Sequence, residues 1–577
     1  MADGLAVVAV DLGVLGQLPP FLVFFVAAAT VLLVPRRVGA AVTLAAPLVA
    51  LAQILSYEAG QSGAVPFYGL ELEWLRVDRL SLAFGYIFAG AAFLSGLYGL
   101  KTMDARERAA ALTYAGSAAG AIFAGDLLAF FILWEVKAVA SALLIARGIR
   151  PGATAAARRY LYVQLTGGTI LLGGILLHWG GTGSLAFTAF EPTLATAAML
   201  VGFLLTAAVP PLGPWLPDAY PEASVPGTVW LSAFTTKASV YALARGFPGW
   251  EVLIWLGVIM ALWGVVYAVL ENDIRRLLAY HIISQVGYMV AAVGIGTEAA
   301  INGATAHAFA HILYKGLLLM GAGAVLHATG KVLLTELGGL ARKMRWVFVL
   351  YMIGAVSISS VPLFSGYVSK ELVVDAAGAE GLTLAYTLLK IASVGTFLHT
   401  GLKLPWFTFF GPNRGPQPGP VPASMYAAMG IAAVVNFAIG VLPGAFYEIM
   451  PYAVDYEPYV LGKVVEKSAL LVFTALGFWI LIDKLGGEST VSVDTDWFYR
   501  VAPRRVAAAV GGAVSAPAVR PWRERLASVD VRASARRLPL ARELPSGESP
   551  VFPTWMLGAT MLGAAALVLL LALVTML

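Results

Sequence analysis

The sequence predicts an all-α polytopic membrane protein of about 14–16 transmembrane helices, counting roughly 20 apolar residues per crossing. Three observations predict it. Of 577 residues, 59% are hydrophobic and only 12% charged, with a mean hydropathy of +0.81, a balance foreign to soluble globular domains of this size. The apolar residues gather into runs of span length, and the loops between those runs alternate in charge. The formal net charge of +5 acquires meaning only through that placement. There is no cysteine, which removes disulfides, thiolate metal sites and Cys-ligated iron–sulfur clusters, so any redox chemistry needs a partner protein.

The first apolar run, near 18–34, lacks a basic flank and a small-residue cleavage site, and Pro19-Pro20 leads straight into it. It is expected to be retained as a helix. Runs follow near 38–56, 79–99, 109–125, 126–147, 158–179, 194–209, 226–246, 252–270, 277–296 and 300–326, then 345–374, 382–409, 423–447, 465–485 and 554–577. Between the second and third, Val65 to Leu75 alternates apolar and polar residues around Pro66 and Gly69, the pattern of a short hairpin. From 486 to 553, ten Arg face seven acids and seven prolines interrupt the segment, so it cannot be one helix. It reads as amphipathic segments on a membrane surface or as a solvated basic linker.

Arg36, Arg37, Lys101, Arg106, Arg108, Arg147, Arg150, Arg158, Arg159, Lys331, Arg342, Lys343 and Arg345 fall in alternate loops, and Glu58, Glu71, Glu73, Asp78, Glu191, Glu298, Glu380, Asp455 and Glu457 in the others. Because Lys and Arg are retained on the cytoplasmic side, the basic loops are expected in the cytoplasm and both termini outside.

Two segments echo one another. Val209-Pro-Pro-Leu-Gly-Pro-Trp-Leu-Pro-Asp218 and Val361-Pro-Leu-Phe-Ser-Gly-Tyr-Val-Ser-Lys370 place Pro and Gly inside apolar runs, and each precedes a Lys-bearing helix, at Lys237 and Lys390. Interrupted helices at matching places are the mark of an internally repeated transporter, whose freed backbone groups line a polar cavity.

A charge at bilayer depth costs roughly 2.5–3.5 kcal/mol on the insertion scale, so each needs a reason. Glu135 sits mid-run in Phe130-Phe-Ile-Leu-Trp-Glu-Val-Lys-Ala138, with Lys137 two residues on and hence on another helix face. Lys237 lies mid-run in 226–246. His307, His311 and Lys315 recur every four residues, a stripe over about 12 Å of helix. Neighbours about 6 Å apart would pass a proton only through intervening water, a task that suits histidine. The same pair could hold a metal, but no added carboxylate or H-E-x-x-H pattern accompanies it, and a bis-His haem involving His178 or His281 is less expected still. No metal or cofactor is expected. Lys370 and Glu371 follow on the second interrupted run, then Lys390, His399 and Lys403, while His281 sits beside Ser284 and Gln285. A lone His there is more often a packing residue than a relay. Asp126, Asp218 and Glu222 lie near run ends, as ordinary loop acids do.

Up to about residue 410 these stretches resemble the antiporter-like subunit family shared by respiratory complex I, membrane-bound hydrogenases and Mrp-type multisubunit Na+/H+ antiporters. The resemblance is carried by Trp134-Glu135, Trp215-Leu-Pro-Asp-Ala219, Thr236 to Arg245, Asn272 to Tyr280, Ser284 to Tyr288, His307, His311, Lys315, and Ser365 to Lys370. The run Lys237 to Arg245 and Asp494-Thr-Asp-Trp-Phe-Tyr-Arg500 look most like the D-type subunit of Mrp antiporters. The resemblance implies two inverted five-helix repeats, each with a discontinuous helix, along a polar axis in the membrane plane. It divides the chain into N-terminal helices 1–108, repeats 109–246 and 252–411, C-terminal helices 423–485, a cytoplasmic-face segment 486–553 and a final helix 554–577.

On this resemblance Glu135 matches the family's essential glutamate, Lys237 its bridging lysine, His307, His311 and Lys315 the central connection, and Lys370 the terminal residue of the second half channel. Lys137, Thr206, His281, Lys390, His399 and Lys403 are the auxiliary candidates. One position departs: the lysine expected nine residues before Trp215 is Thr206, which can hydrogen-bond but supplies no cation. Lys137 is the candidate to supply that charge instead. The implied function is a proton-translocating subunit of a monovalent cation/proton antiporter in a bacterial or archaeal cytoplasmic membrane. Its expected partners are other membrane subunits, lipid, protons and, where a second ion is coupled, sodium, and not nucleic acid. The alternatives are a subunit of a complex I-like, hydrogenase or inorganic-carbon uptake complex, and a structural subunit with an impaired first half channel.

Overall fold

Backbone N–H and C=O groups find no water in a bilayer, so an apolar chain of this kind satisfies them within helices. The computed structural model of the chain describes residues 18–67 and 69–486. Both termini, the final helix expected at 554–577, the motif at 494–500 and, apart from Gly486, the segment expected at 486–553 lie outside the described residues.

Helices α1 (Phe21–Leu33) and α2 (Arg36–Leu55) part at Pro35. The expected hairpin begins slightly earlier than its alternation suggests: β1 (Ser62–Phe67) pairs antiparallel with β2 (Leu70–Arg76), from Ser62 opposite Arg76 to Phe67 opposite Leu70. Next come α3 (Arg79–Tyr98), α4 (Ala105–Phe123), α5 (Leu127–Ala146), α6 (Ala153–Thr182) and α7 (Leu194–Thr206). Side chains of Asp78, Asp104, Asp126 and Thr193 cap α3, α4, α5 and α7, each accepting from orphan N–H groups of the first turn. After a break come α8 (Trp215–Ala219) and a 3₁₀ turn (Tyr220–Glu222), then α9 (Val225–Gly246), α10 (Val252–Leu270), α11 (Ile274–Ile295) and α12 (Glu298–Thr329).

The run expected as one span at 345–374 is two helices, α13 (Arg345–Ile358) and α14 (Ser365–Ala379). The run at 382–409 starts as α15 (Thr383–Thr396) and widens into π-helical turns at Phe397–Lys403 and Trp406–Phe410, around Pro405, which has no N–H to donate. Helices α16 (Ala423–Val441), α17 (Pro443–Tyr447) and α18 (Leu461–Leu485) complete the described fold. Every other run expected before residue 486 coincides with one of these helices, except 423–447, which holds both α16 and α17. Nine among the described residues are long and apolar enough to cross a membrane unaided.

The two breaks have a common conformational signature. Among the described residues, the non-glycine residues with left-handed φ are Ala208 (64°) in the first break and Ser360 (56°) and Leu363 (75°) in the second. Such conformations cost of order 1–3 kcal/mol and persist where surrounding packing over-determines them.

A second signature relates the two halves. Asp126, which caps α5, forms a β-bridge with Ala186 beyond α6, and Asp273, which caps α11, forms one with Leu333 beyond α12. The flanking hydrogen bonds match pair for pair: Leu127 N–H to Leu185 O at 2.8 Å corresponds to Ile274 N–H to Val332 O at 3.0 Å. Phe187 N–H to Gly125 O at 3.1 Å corresponds to Leu334 N–H to Asn272 O at 2.9 Å.

These clasps sit at opposite ends of the bundle. Asp126 accepts from Glu73 N–H of the hairpin at 2.6 Å, and Arg76 donates nearby to Phe187 O at 2.7 Å. Asp273 pairs with Arg150 at 2.9 Å on the end where Arg150 also meets Glu222 and Arg36 reaches Lys101 O. The halves are therefore inverted copies, and most of the basic loops gather at one end. Between them α11 and α12 form the centre, each 94% buried over its span, while α18 at 17% lies on the outside.

Candidate functional site

In the first half, α5 is fixed by Asp126 Oδ1 accepting from Leu128 N–H and Ala129 N–H, both at 2.8 Å. Two turns further in, Glu135 Oε1 is buried without a hydrogen-bond partner and lies against Gly168 of α6, where a Cβ would collide with it. Only glycine leaves room there for the carboxylate. Lys137 is 1% exposed. Its Nζ makes no hydrogen bond and rests 3.0 Å from the centroid of the Trp134 ring, a cation–π contact. Glu135 and Lys137 interact through their charges without forming an ion pair.

Thr206, at the end of α7, donates to Gln164 Oε1 at 3.2 Å and to Gly202 O at 3.3 Å. Gln164 lies one turn before Gly168 on α6, so the position that lacks a lysine faces the helix face that cradles Glu135, and Gln164 Nε2 is unpartnered.

Lys237 is fully buried at the middle of α9, its Nζ donating to Ser232 O at 2.8 Å and Thr236 Oγ1 at 3.2 Å. Its charge reaches His307, His311 and Lys315 of α12. The charge that acts on Glu135 is that of Lys137 on its own helix rather than that of Lys237. A group of buried hydroxyls unremarked in the sequence occupies the region between α4, α5, α6 and α9. Ser141 and Tyr160 lie 2.8 Å apart, Tyr160 and Thr235 3.4 Å, and Thr235 and Tyr114 2.6 Å. Hydroxyls are inexpensive in any helix, so the sequence carries no signal for them.

In the second half the stripe on α12 is intact and wholly buried. The His307 and His311 rings are 6.3 Å apart, centroid to centroid. His307 Nδ1 lies 3.2 Å from Ser369 Oγ of α14, and Tyr314 Oη 3.4 Å from its Nε2. Both ring nitrogens of His311, and Lys315 Nζ, have no hydrogen-bond partner. Lys370 Nζ donates to Ile358 O at 2.7 Å, a carbonyl that the break after α13 frees from the helix ladder.

His281 and His399 pack edge to face at 4.7 Å. His281 Nε2 lies 3.3 Å from Thr396 Oγ1, and His399 Nδ1 2.8 Å from Thr400 Oγ1. The π-helical turn carries His399 and Lys403 inward, where Lys403 donates to Val269 O and, at 3.1 Å, to Glu271 O. His281, one of the auxiliary candidates, is thus brought together with His399 inside the bundle.

Lys390 is not. It pairs with Glu466 of α18 and stacks over Tyr386. The residue that sequence reasoning missed is Lys467 of α18, which pairs with Glu371 at 2.6 Å beside Lys370. The loop acids are structural: Asp218 pairs with Arg159 at 2.7 Å and Glu222 with Arg150 at 3.4 Å. Among the described residues no three His, Asp or Glu side chains gather as metal ligands would.

Inverted halves, two broken helices and a row of buried charges through the bundle define an antiporter-like membrane subunit. Residues 124–398 match the family described as NADH:quinone oxidoreductase/Mrp antiporter, transmembrane region, and the chain is an antiporter-like subunit of the kind found in Mrp and complex I-type membrane complexes. It is 29% identical over 440 residues to the A-type subunit of the Na(+)/H(+) antiporter of Alkalihalophilus pseudofirmus, covering 68% of this chain and 54% of that protein. Against the D-type subunit from the same organism it is 31% identical over 319 residues, covering 51% of this chain and 64% of that one. The chain thus spans less than two thirds of either relative. Its fold matches a chain of the Mrp complex from Dietzia sp. DQ12-45-1b with a TM-score of 0.67 at 24% identity, over 79% of this chain and 99% of that one.

Proposed function

We propose that this subunit conducts protons within a multisubunit monovalent cation/proton antiporter, along Glu135 and Lys137, Lys237, the His307–His311–Lys315 stripe, and then Lys370 and the His281–His399–Lys403 branch. The observation that carries this reading is the series of buried titratable atoms without a hydrogen-bond partner: Glu135 Oε1, Lys137 Nζ, His281 Nδ1, His311 Nδ1 and Nε2, Lys315 Nζ and His399 Nε2. Buried polar atoms are nearly always hydrogen-bonded, and leaving one unpaired costs about 1–3 kcal/mol. A concentration of them on facing helices is what a file of water and moving protons requires, and what a purely structural core avoids.

The energies are commensurate. Carrying a unit charge against 100 mV costs about 2.3 kcal/mol. A hydrogen bond to a charged group contributes about 1.5–3 kcal/mol. Making or breaking one contact of the Lys237–Ser232 kind therefore suffices to hold or release a proton against the membrane potential.

In this reading Lys137 supplies the cation that Thr206 lacks, and the basic end faces the cytoplasm of a bacterial or archaeal cell. A second reading, the same pathway in a redox-driven complex, is favoured by the family's quinone-oxidoreductase members. Flavin or iron–sulfur absorbance in the purified complex would decide for it. The test of conduction is cation/proton exchange in everted vesicles carrying the assembled complex with Glu135→Gln or Lys237→Met. Each is expected to lower exchange at least about tenfold, the rate equivalent of about 1.4 kcal/mol. Full exchange in both would overturn the reading.

A further inference from the structure

Helix α18 meets the rest of the bundle through the charges of its first two turns. Its outward positions are apolar: Val465, Val472, Phe473 and Ile480 are all more than half exposed. The charges in its first two turns pair with the bundle: half-buried Lys463 with Asp375 at 2.7 Å, exposed Glu466 with Lys390, and buried Lys467 with Glu371 at 2.6 Å. Lys467 also donates to Ser393 Oγ at 3.0 Å and is one of only three buried residues of α18. Charges inside a membrane need partners or water, and these have partners beside an open cavity. Between α14, α15 and α18 lies a narrow cavity with an open mouth. Half of its lining comes from α18, down to Leu471 and Thr474.

The cavity adjoins the buried series at one place. Glu371 and Ser359 both line it. Glu371 follows Lys370 in the chain, and Ser359 follows Ile358, whose carbonyl holds the Lys370 ammonium at 2.7 Å. The fields of Glu371 and Lys467 both reach Lys370.

We infer that α18 closes an aqueous vestibule onto Lys370, and that the Glu371–Lys467 pair is the proton-binding gate between that vestibule and the buried series. This rests on the conduction proposed above and extends it to the way in or out of the second half. In the outward direction an N–H bond of the Lys370 ammonium breaks, leaving the neutral amine. The proton crosses on water to Glu371, where an O–H bond forms and the carboxylate becomes a neutral acid. Lys467 keeps its charge and turns to Ser393. Glu371 then gives its proton to cavity water as hydronium, and the ion pair closes again.

The absence of cysteine makes the vestibule directly testable. In the assembled complex, in vesicles of both orientations, Leu471→Cys and Thr474→Cys are expected to react with a charged, membrane-impermeant maleimide at least tenfold faster than the outward Phe473→Cys. Equal, slow labelling at all three would overturn the vestibule. For the gate, Lys467→Met is expected to lower exchange about tenfold, Lys467→Arg to preserve it, and the exchanged pair Glu371→Lys with Lys467→Glu to recover more than the single change. Parental exchange in Lys467→Met, with Glu135→Gln inactive, would overturn the gate and leave the conduction reading standing. Parental exchange in both would remove the conduction reading itself. If Lys467→Met fails to assemble, the labelling and the exchanged pair decide.

Discussion

At the scale of single residues, the informative position is one the family pattern leaves blank. Thr206 contributes a hydroxyl to Gln164 where a cation is expected, and Lys137 places an unpaired ammonium beside Trp134, within the field of Glu135. If Lys137 does the work of the missing lysine, Lys137→Met should lower exchange at least about tenfold with assembly intact, and adding Thr206→Lys should restore a substantial part of it. Unimpaired exchange in Lys137→Met would refute the substitution. Gly168→Ala offers a separate check. The new methyl would meet the end of the Glu135 side chain, which can swing away, so the complex should still assemble while exchange falls. Glu135, Lys237 and the α12 stripe were legible in the sequence because a charge inside an apolar run is conspicuous. The Ser141–Tyr160–Thr235–Tyr114 group was not, since hydroxyls mid-helix look the same whether they pack or connect.

At the scale of elements, the helix breaks were legible as Pro and Gly within apolar runs, but their conformation was not. Ser360 holds a left-handed backbone and its hydroxyl reaches Gly366 O at 3.3 Å. Ser360→Gly should be tolerated, whereas the β-branched Ser360→Val should lower stability by about 2 kcal/mol or more, read as a drop in the melting temperature of the detergent-solubilised protein. Gly366 is required for a different reason: a Cβ there would strike the backbone carbonyl of Ser357, which cannot move aside. Gly366→Ala is expected to destabilise by about 1–3 kcal/mol. The role of α18 was hidden from the sequence because Lys463, Glu466 and Lys467 read as an ordinary charged helix start, while their partners lie as far as 96 positions away in the chain.

At the scale of the whole molecule, the alternation of loop charge corresponds to the two ends of the bundle, and inversion of the halves follows from the paired clasps at Asp126 and Asp273. Orientation then becomes a single-cysteine experiment. In intact cells an impermeant thiol reagent should label Glu58→Cys, exposed on the hairpin end, and spare Lys101→Cys, exposed on the basic end; the reverse pattern would invert the assigned topology.

The fate of Lys390 has a further consequence. It follows the second break in sequence as Lys237 follows the first, yet it is drawn outward to Glu466 while Lys237 remains in the core. With Thr206 in one half and Lys390 tied to an outer helix in the other, the inverted halves are electrically unlike, so a charge would meet a different order of sites from each end of the bundle.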